Sequence, residues 1–274
     1  MTATRLPACH AASISAIDRP MRPAEESAVL DLIGLIGFGS FLAVSCVLSV
    51  RLLGLARRTR QLPEFAIGVQ FLLAGVVGYG LLIASESLRL LPGSLADVGA
   101  FAGVTAISLG AIASGVFSAR VFHSGSKLAS AAQIALASSL LLGIIGSWTL
   151  HVGGATSGTG AWLGRWVPNL GILAAYGWSS FAPLRYAAAM RRRAQIGLGD
   201  ALVANRMQLW GIGTGAIAGI ALLHLVAQFF GHYELPASLV GLASSLALVT
   251  AVAEWLAFFP PRSYRRRFAT PLSD

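Results

Sequence analysis

Seven apolar runs dominate this chain, at 28–53, 64–88, 97–120, 128–151, 162–190, 206–230 and 236–259. About 20 consecutive apolar residues cross a bilayer as a helix, and each run reaches that length. The connections between them are too short to hold a water-soluble domain. In lipid every backbone N–H and C=O must find a partner within the protein, so apolar runs of this length are read as helices. Composition agrees: 55% of the residues are hydrophobic and 11% are charged, against roughly 25% charged in a soluble domain. The expected fold class is therefore an all-α membrane protein. It is a seven-transmembrane helix bundle over residues 28–259, with a disordered tail at 1–27 and a basic tail at 260–274.

A net charge of +9 would in a soluble protein raise the question of nucleic acid. Here the 20 Lys and Arg residues include a single lysine, Lys127, and most of them cluster between apolar runs. Guanidinium groups so placed are juxtamembrane anchors, and nucleic acid is excluded as a partner. Their distribution also orients the chain. Arg51, Arg57, Arg58 and Arg60 close the first run, Arg120 and Lys127 the third, and Arg191, Arg192 and Arg193 the fifth. The C-terminal tail adds Arg262, Arg265, Arg266 and Arg267, whereas the even connections hold little beyond Arg89 and Arg165. The positive-inside bias then puts the N-terminus outside and the C-terminus in the cytoplasm of a cell inner membrane. Trp148, Trp162 and Trp166 fall at the outer interface, and Trp210 and Trp255 near the inner one. The first 27 residues lack the apolar core of a signal peptide. Cys9 and Cys46 are too isolated to specify a disulfide or a metal site.

The stretch GIGTGAIAG (211–219) has two readings. As G-x-G-x-x-A followed by Glu234 it imitates a dinucleotide-binding turn, but that turn needs a strand before it and a water-facing helix start after it. Its flanks are Asn205–Trp210 and Ile220–Leu223, inside an apolar run. The recurrence of Gly211, Gly215 and Gly219 every fourth residue instead lines one helix face, where small residues let two backbones touch. Related spacing occurs in GLIGFG (34–39) and GVVGYG (75–80).

A weak repeat accompanies the runs. Arg51 with Arg57 and Arg58 maps onto Arg185 with Arg191 and Arg192 at an offset of 134 residues. The same shift lays run two on run six and run three on run seven, giving a 3+1+3 plan with run four as the linker. This arrangement resembles that of SWEET-type transporters, although their proline-glutamine pair is replaced here by Pro63-Glu64. In topology alone the chain looks like rhodopsins and G-protein-coupled receptors. A retinal pigment needs a lysine in the seventh helix, and SLVGLASSLALVTAVAEWLAFF has none. The segments RRRAQIGLGDALVANRMQLWG (191–211) and WLAFFPPRSYRRRF (255–268) resemble those of a family of bacterial seven-helix inner-membrane proteins to which no activity is attached.

Few groups in the runs can carry chemistry. Glu254 lies deepest, about one turn inside the seventh helix. The expected arrangement is a buried pair with a cytoplasmic-side arginine, Arg51, Arg120 or Arg185. Asp31 sits in the first turn of helix one, where the helix dipole favours a carboxylate, and Glu86 near the outer end of helix two. His224 and Gln228 share a face of helix six; His151 ends helix four and His232 follows helix six, so that with Glu86 they could cluster in the outer leaflet. No metal-ligand spacing is present, so neither a metal nor another cofactor is expected, and no catalytic constellation points to an enzyme. Pro168-Asn169 opens helix five and Pro183 interrupts it; its Tyr176, Trp178 and Ser180 with His224 and Gln228 form the candidate ligand pocket.

Three functions fit these residues. The first is a receptor-like sensor that signals through basic cytoplasmic loops. The alternatives are a small-solute transporter on the 3+1+3 plan and a structural subunit of a membrane complex. The partners implied are membrane lipid, a small-molecule ligand, and a cytoplasmic protein or a second copy of the chain.

Overall fold

The structure is a computed structural model that describes residues 24–88, 90–154, 157–232, 235–266 and 268. Most of the expected N-terminal tail, Cys9, Arg89, Glu234, Arg267 and the end of the basic tail lie outside these residues, as do the side chains of Asp31 and Glu86. All regular structure among the described residues is helical. The long helices are α1 (Ala24–Thr59), α2 (residues 62–87), α3 (Ser94–Phe122), α4 (Lys127–His151), α5 (Gly158–Gln195), α6 (Ala201–Phe229) and α7 (Ala237–Phe258); a short α8 (Arg262–Arg266) follows. In α2 the wider π-type turns Phe71–Gly78 and Ile83–Ser87 alternate with α-helical Leu62–Gln70 and Tyr79–Leu82. Helix α1 begins at Ala24, so residues 24–27 are helical rather than tail, and Asp31 lies beyond the first turn.

Six of these helices are long and apolar enough to cross a membrane: α1 through α4, α6 and α7. Helix α5 is the exception. It is the longest at 38 residues, but its prolines, Asn169, tryptophans and serines dilute its apolar character. The outward faces of the bundle are apolar: Val50 is 70% exposed and Ile134 67%. Such surface suits lipid and not water.

Local signals set the ends. Ser126 caps α4 by accepting from the Ala129 N–H at 3.2 Å, and Asp200 caps α6 by accepting from Leu202 N–H at 2.8 Å. Helix α5 stops before Gly197, whose φ of 73° is open to glycine and disfavoured for side chains with a Cβ.

The helices pack in chain order, each against the next, and α7 returns against α1; α3 also packs against α5. The tightest approaches use glycine. A Cβ on Gly37 would strike the Ser244 backbone, joining α1 to α7. A Cβ on Gly110 would fall 2.8 Å from Ala74 N, joining α3 to α2, and one on Gly146 2.7 Å from Leu163 C, joining α4 to α5. In the 211–219 stripe, Gly211 faces α5, where a Cβ would lie 2.6 Å from Leu184 Cγ. Gly215 also faces α5, 2.8 Å from Ser180 Oγ, but Gly219 turns to Leu246 of α7 at 3.2 Å. Within the stripe Gly211 also approaches backbone, where a Cβ would lie 2.9 Å from Ser180 O, whereas Gly215 and Gly219 meet side chains; Gly37, Gly110 and the Gly146–Gly164 pair make closer backbone contacts.

The prolines of α5 are accommodated without ending the helix. Each removes the N–H that would bond to the carbonyl four residues earlier. For Pro183 that carbonyl is Ser179 O, which accepts from Thr214 Oγ1 of α6 at 3.0 Å. For Pro168 it is Gly164 O, reached by Ser147 Oγ of α4 at 3.4 Å. Hydroxyls on neighbouring helices thus satisfy the backbone groups that proline frees.

Candidate functional site

Six of the buried polar residues, which apolar packing does not explain, line one seam of the bundle. Ser179 Oγ of α5 lies 2.8 Å from both Ser114 Oγ and Ser118 Oγ of α3, all fully buried. Thr214 of α6 bonds back to Ser179 O, and its neighbour Gly213 accepts at its carbonyl from Thr250 Oγ1 of α7 at 3.1 Å. One turn further along α7, on the same face as Thr250, stands Glu254. The seam therefore runs from α3 through α5 and α6 to α7 and ends at a carboxyl group.

Glu254 is 1% exposed, and neither Oε1 nor Oε2 has a hydrogen-bond partner among the described residues. The expected buried pair is therefore corrected. Arg51 and Arg185 are both exposed: the first places its guanidinium 4.4 Å over the Phe259 ring, the second 5.5 Å over Phe181. Arg120 is exposed as well. The physical reason is helical phase and reach. These arginines snorkel to the rim and stack on aromatics there, while Glu254 points inward against α6. Room for it comes from Gly213, where a Cβ would lie 2.7 Å from Glu254 Oε1. Other buried polar atoms without a partner among the described residues include Ser45 Oγ, Gln70 Oε1, Ser108 Oγ and Trp210 Nε1, on α1, α2, α3 and α6. Buried polar groups are hydrogen-bonded as a rule, and among the described residues Glu254 is the exception with two unpartnered oxygens on one side chain.

The residues of the expected ligand pocket are not brought together. Tyr176 sits in the apolar core among Phe41, Ile107 and Ile217. Trp178 faces another way, with its ring 5.8 Å from His123, and Ser180 Oγ donates to Gly211 O at 2.7 Å. His224 Nδ1 donates to Ile220 O on its own helix at 2.9 Å, and Gln228 leaves Oε1 without a partner among the described residues. The interior gap bounded by Phe38, Phe41, Tyr79, Ile217, Ala247 and Thr250 has no room for a water molecule. No group of three or more His, Cys, Asp or Glu that could hold a metal ion occurs among the described residues. Trp210 also departs from expectation: it is 3% exposed, packed by Phe71, Phe117 and Phe258, and anchors the core rather than the membrane interface.

Glu254 was legible in the sequence as the deepest carboxyl, but its isolation was not. The serine seam was missed altogether. Its signal was the recurrence of Ser114 and Ser118 one turn apart in α3, opposite a proline in α5 whose freed carbonyl needed a donor. Comparison with protein-family models, with curated proteins and with solved structures finds no match for this chain.

Proposed function

We propose that this protein is a carrier of a small solute across the membrane, driven by proton or cation exchange at Glu254. The observation that carries the reading is the fully buried Glu254 carboxyl, whose two oxygens have no partner among the described residues. An ionised carboxylate without a partner is far more costly to bury than a protonated one or one holding a cation. Loading and unloading of Glu254 therefore change the stability of the closed interior. That is the coupling an ion-driven carrier requires.

The packing supports the 3+1+3 plan. The triplets α1–α3 and α5–α7 meet along the α1–α7 and α3–α5 seams, and α4 is the least buried of the six apolar helices. Counting α5 as a seventh span completes the plan. Its 38 residues extend roughly 57 Å at 1.5 Å per residue, well beyond a bilayer core, and its polar face is turned to the serine seam. The inner-membrane orientation, with arginines in the cytoplasm, belongs to the same proposal.

A receptor-like sensor is the second reading. It is favoured by the narrowness of the interior gap at Phe41 and Tyr79, which has no room for a water molecule, and by the exposed arginines at one end, which suit a cytoplasmic partner. One experiment separates the two. Proteoliposomes adsorbed on a solid-supported membrane are exposed to rapid pH and sodium jumps. A carrier displaces charge on one of these jumps, and Glu254→Gln abolishes the displacement. Absence of any charge movement, or an equal one in Glu254→Gln, overturns the carrier reading.

A further inference from the structure

At the arginine-rich end a cleft of about 220 Å³ opens between α1, α2, α6 and α7. Arg51 and Arg206 stand in its walls with Glu64, and Leu52, Ile67 and Phe258 line its apolar part. Both guanidinium groups are oriented. Arg206 Nε donates to Ala257 O at 2.7 Å, which marks the end of α7, and Arg51 stacks on Phe259. Neither has a carboxylate partner within ion-pair distance among the described residues, although Glu64 faces the same space. One oxygen of Glu64 is already engaged by the Thr59 hydroxyl. The walls thus carry two fixed cations against one carboxylate.

Beside the cleft, next to the exposed Arg57, Arg58 and Arg60, part of the surface is apolar. Leu55, on its wall, is 39% exposed, and Leu62 and Phe65 beside it on α2 are 46% and 53% exposed. A cationic pocket that opens onto apolar surface at the end of membrane-spanning helices matches a molecule with an anionic head and a hydrocarbon tail. We propose that this cleft is a binding site for an anionic phospholipid, with its phosphate between Arg51 and Arg206 and an acyl chain along Leu55 and Phe65. Guanidinium groups suit phosphate oxygens because their planar fork presents paired donors, and basic pockets between spans are places where acidic headgroups dock. The site does not depend on whether Glu254 exchanges protons.

The test uses the full chain purified in a non-ionic detergent, with native mass spectrometry and thermal melting as readouts. Phosphatidylglycerol is expected to give a stoichiometric adduct and raise the melting temperature, while phosphatidylcholine and inorganic phosphate do neither. Arg51→Gln is expected to weaken phosphatidylglycerol binding about tenfold, the loss of one charge-assisted contact. Leu55→Glu keeps both arginines and adds a repelling charge, so it is expected to weaken binding without disturbing the Arg206–Ala257 bond. Unchanged adducts in both variants overturn the site. Equal binding of inorganic phosphate or phosphatidylcholine overturns the choice of an anionic lipid.

Discussion

Gly164→Leu is expected to destroy the folded bundle. A Cβ at this position would strike the Gly146 backbone and lie 2.9 Å from Ser147 N, so even alanine has no room. Backbone on both sides means that no side chain can rotate away. The two helices must separate, and that separation breaks the reach of Ser147 Oγ to Gly164 O, the carbonyl that Pro168 leaves without its helical donor. Overpacking a closed contact costs about 1–3 kcal/mol where the surroundings can yield, and more where they cannot. Gly164→Leu should therefore migrate as an aggregate in size-exclusion chromatography in detergent. The control is Gly177→Leu on the same helix, where an added Cβ meets nothing within 4 Å; it should remain monodisperse. Equal behaviour of the two variants would mean that α4 and α5 do not touch as described.

Glu254→Gln is expected to melt at or above the temperature of the parent. Were Glu254 half of an ion pair, its neutralisation would strand a buried arginine at a cost of about 3–5 kcal/mol. The structure has Arg51 and Arg185 exposed on aromatic rings, so nothing is stranded. Glutamine keeps the shape and replaces a carboxyl group, costly to bury once ionised, with a neutral amide. A clear loss of thermal stability in Glu254→Gln would contradict this arrangement, and recovery of that loss by a second change at an arginine would identify the missing partner.

Much of the fold follows from composition and caps. Six apolar runs became helices long enough to cross a membrane because lipid leaves a backbone of that length no other choice. Helix α5 is the instructive exception. Pro168 reads as its opening and Pro183 as a kink, yet the helix runs from Gly158 to Gln195 with both prolines inside it. The hydroxyls that permit this, Thr214 and Ser147, lie on other helices, so the local sequence contains only half of the device. Glycines show the same division. Gly211, Gly215 and Gly219 stand out by spacing, but spacing gives a face and not a neighbour. Gly37, inside GLIGFG, does meet backbone, but so do Gly110 and the Gly146–Gly164 pair, which lie outside the three motifs.

The site was partly readable for a related reason. Glu254 is conspicuous as a carboxyl in an apolar run, and depth alone suggested the nearby arginines as partners. Arg51 and Arg185, however, have side chains long enough to reach the rim, where water and aromatic faces hold them better than a buried carboxylate could. The pocket expected from Tyr176, Trp178, Ser180, His224 and Gln228 failed on rotation. Residues two apart on a helix point to different neighbours, so Trp178 turns to His123 while Tyr176 enters the core.

The central claim is that Glu254 is an unpaired carboxyl that exchanges protons or cations from within the bundle. Infrared difference spectroscopy of the protein in lipid tests it most directly, since a protonated carboxyl has a carbonyl stretch that an ionised one lacks. The account predicts a carboxylic acid band that shifts on deuteration, responds to bathing pH or sodium, and is missing in Glu254→Gln. A spectrum in which Glu254→Gln removes only ionised carboxylate signal, at every pH and with or without sodium, would show a permanently charged and paired Glu254 and contradict it.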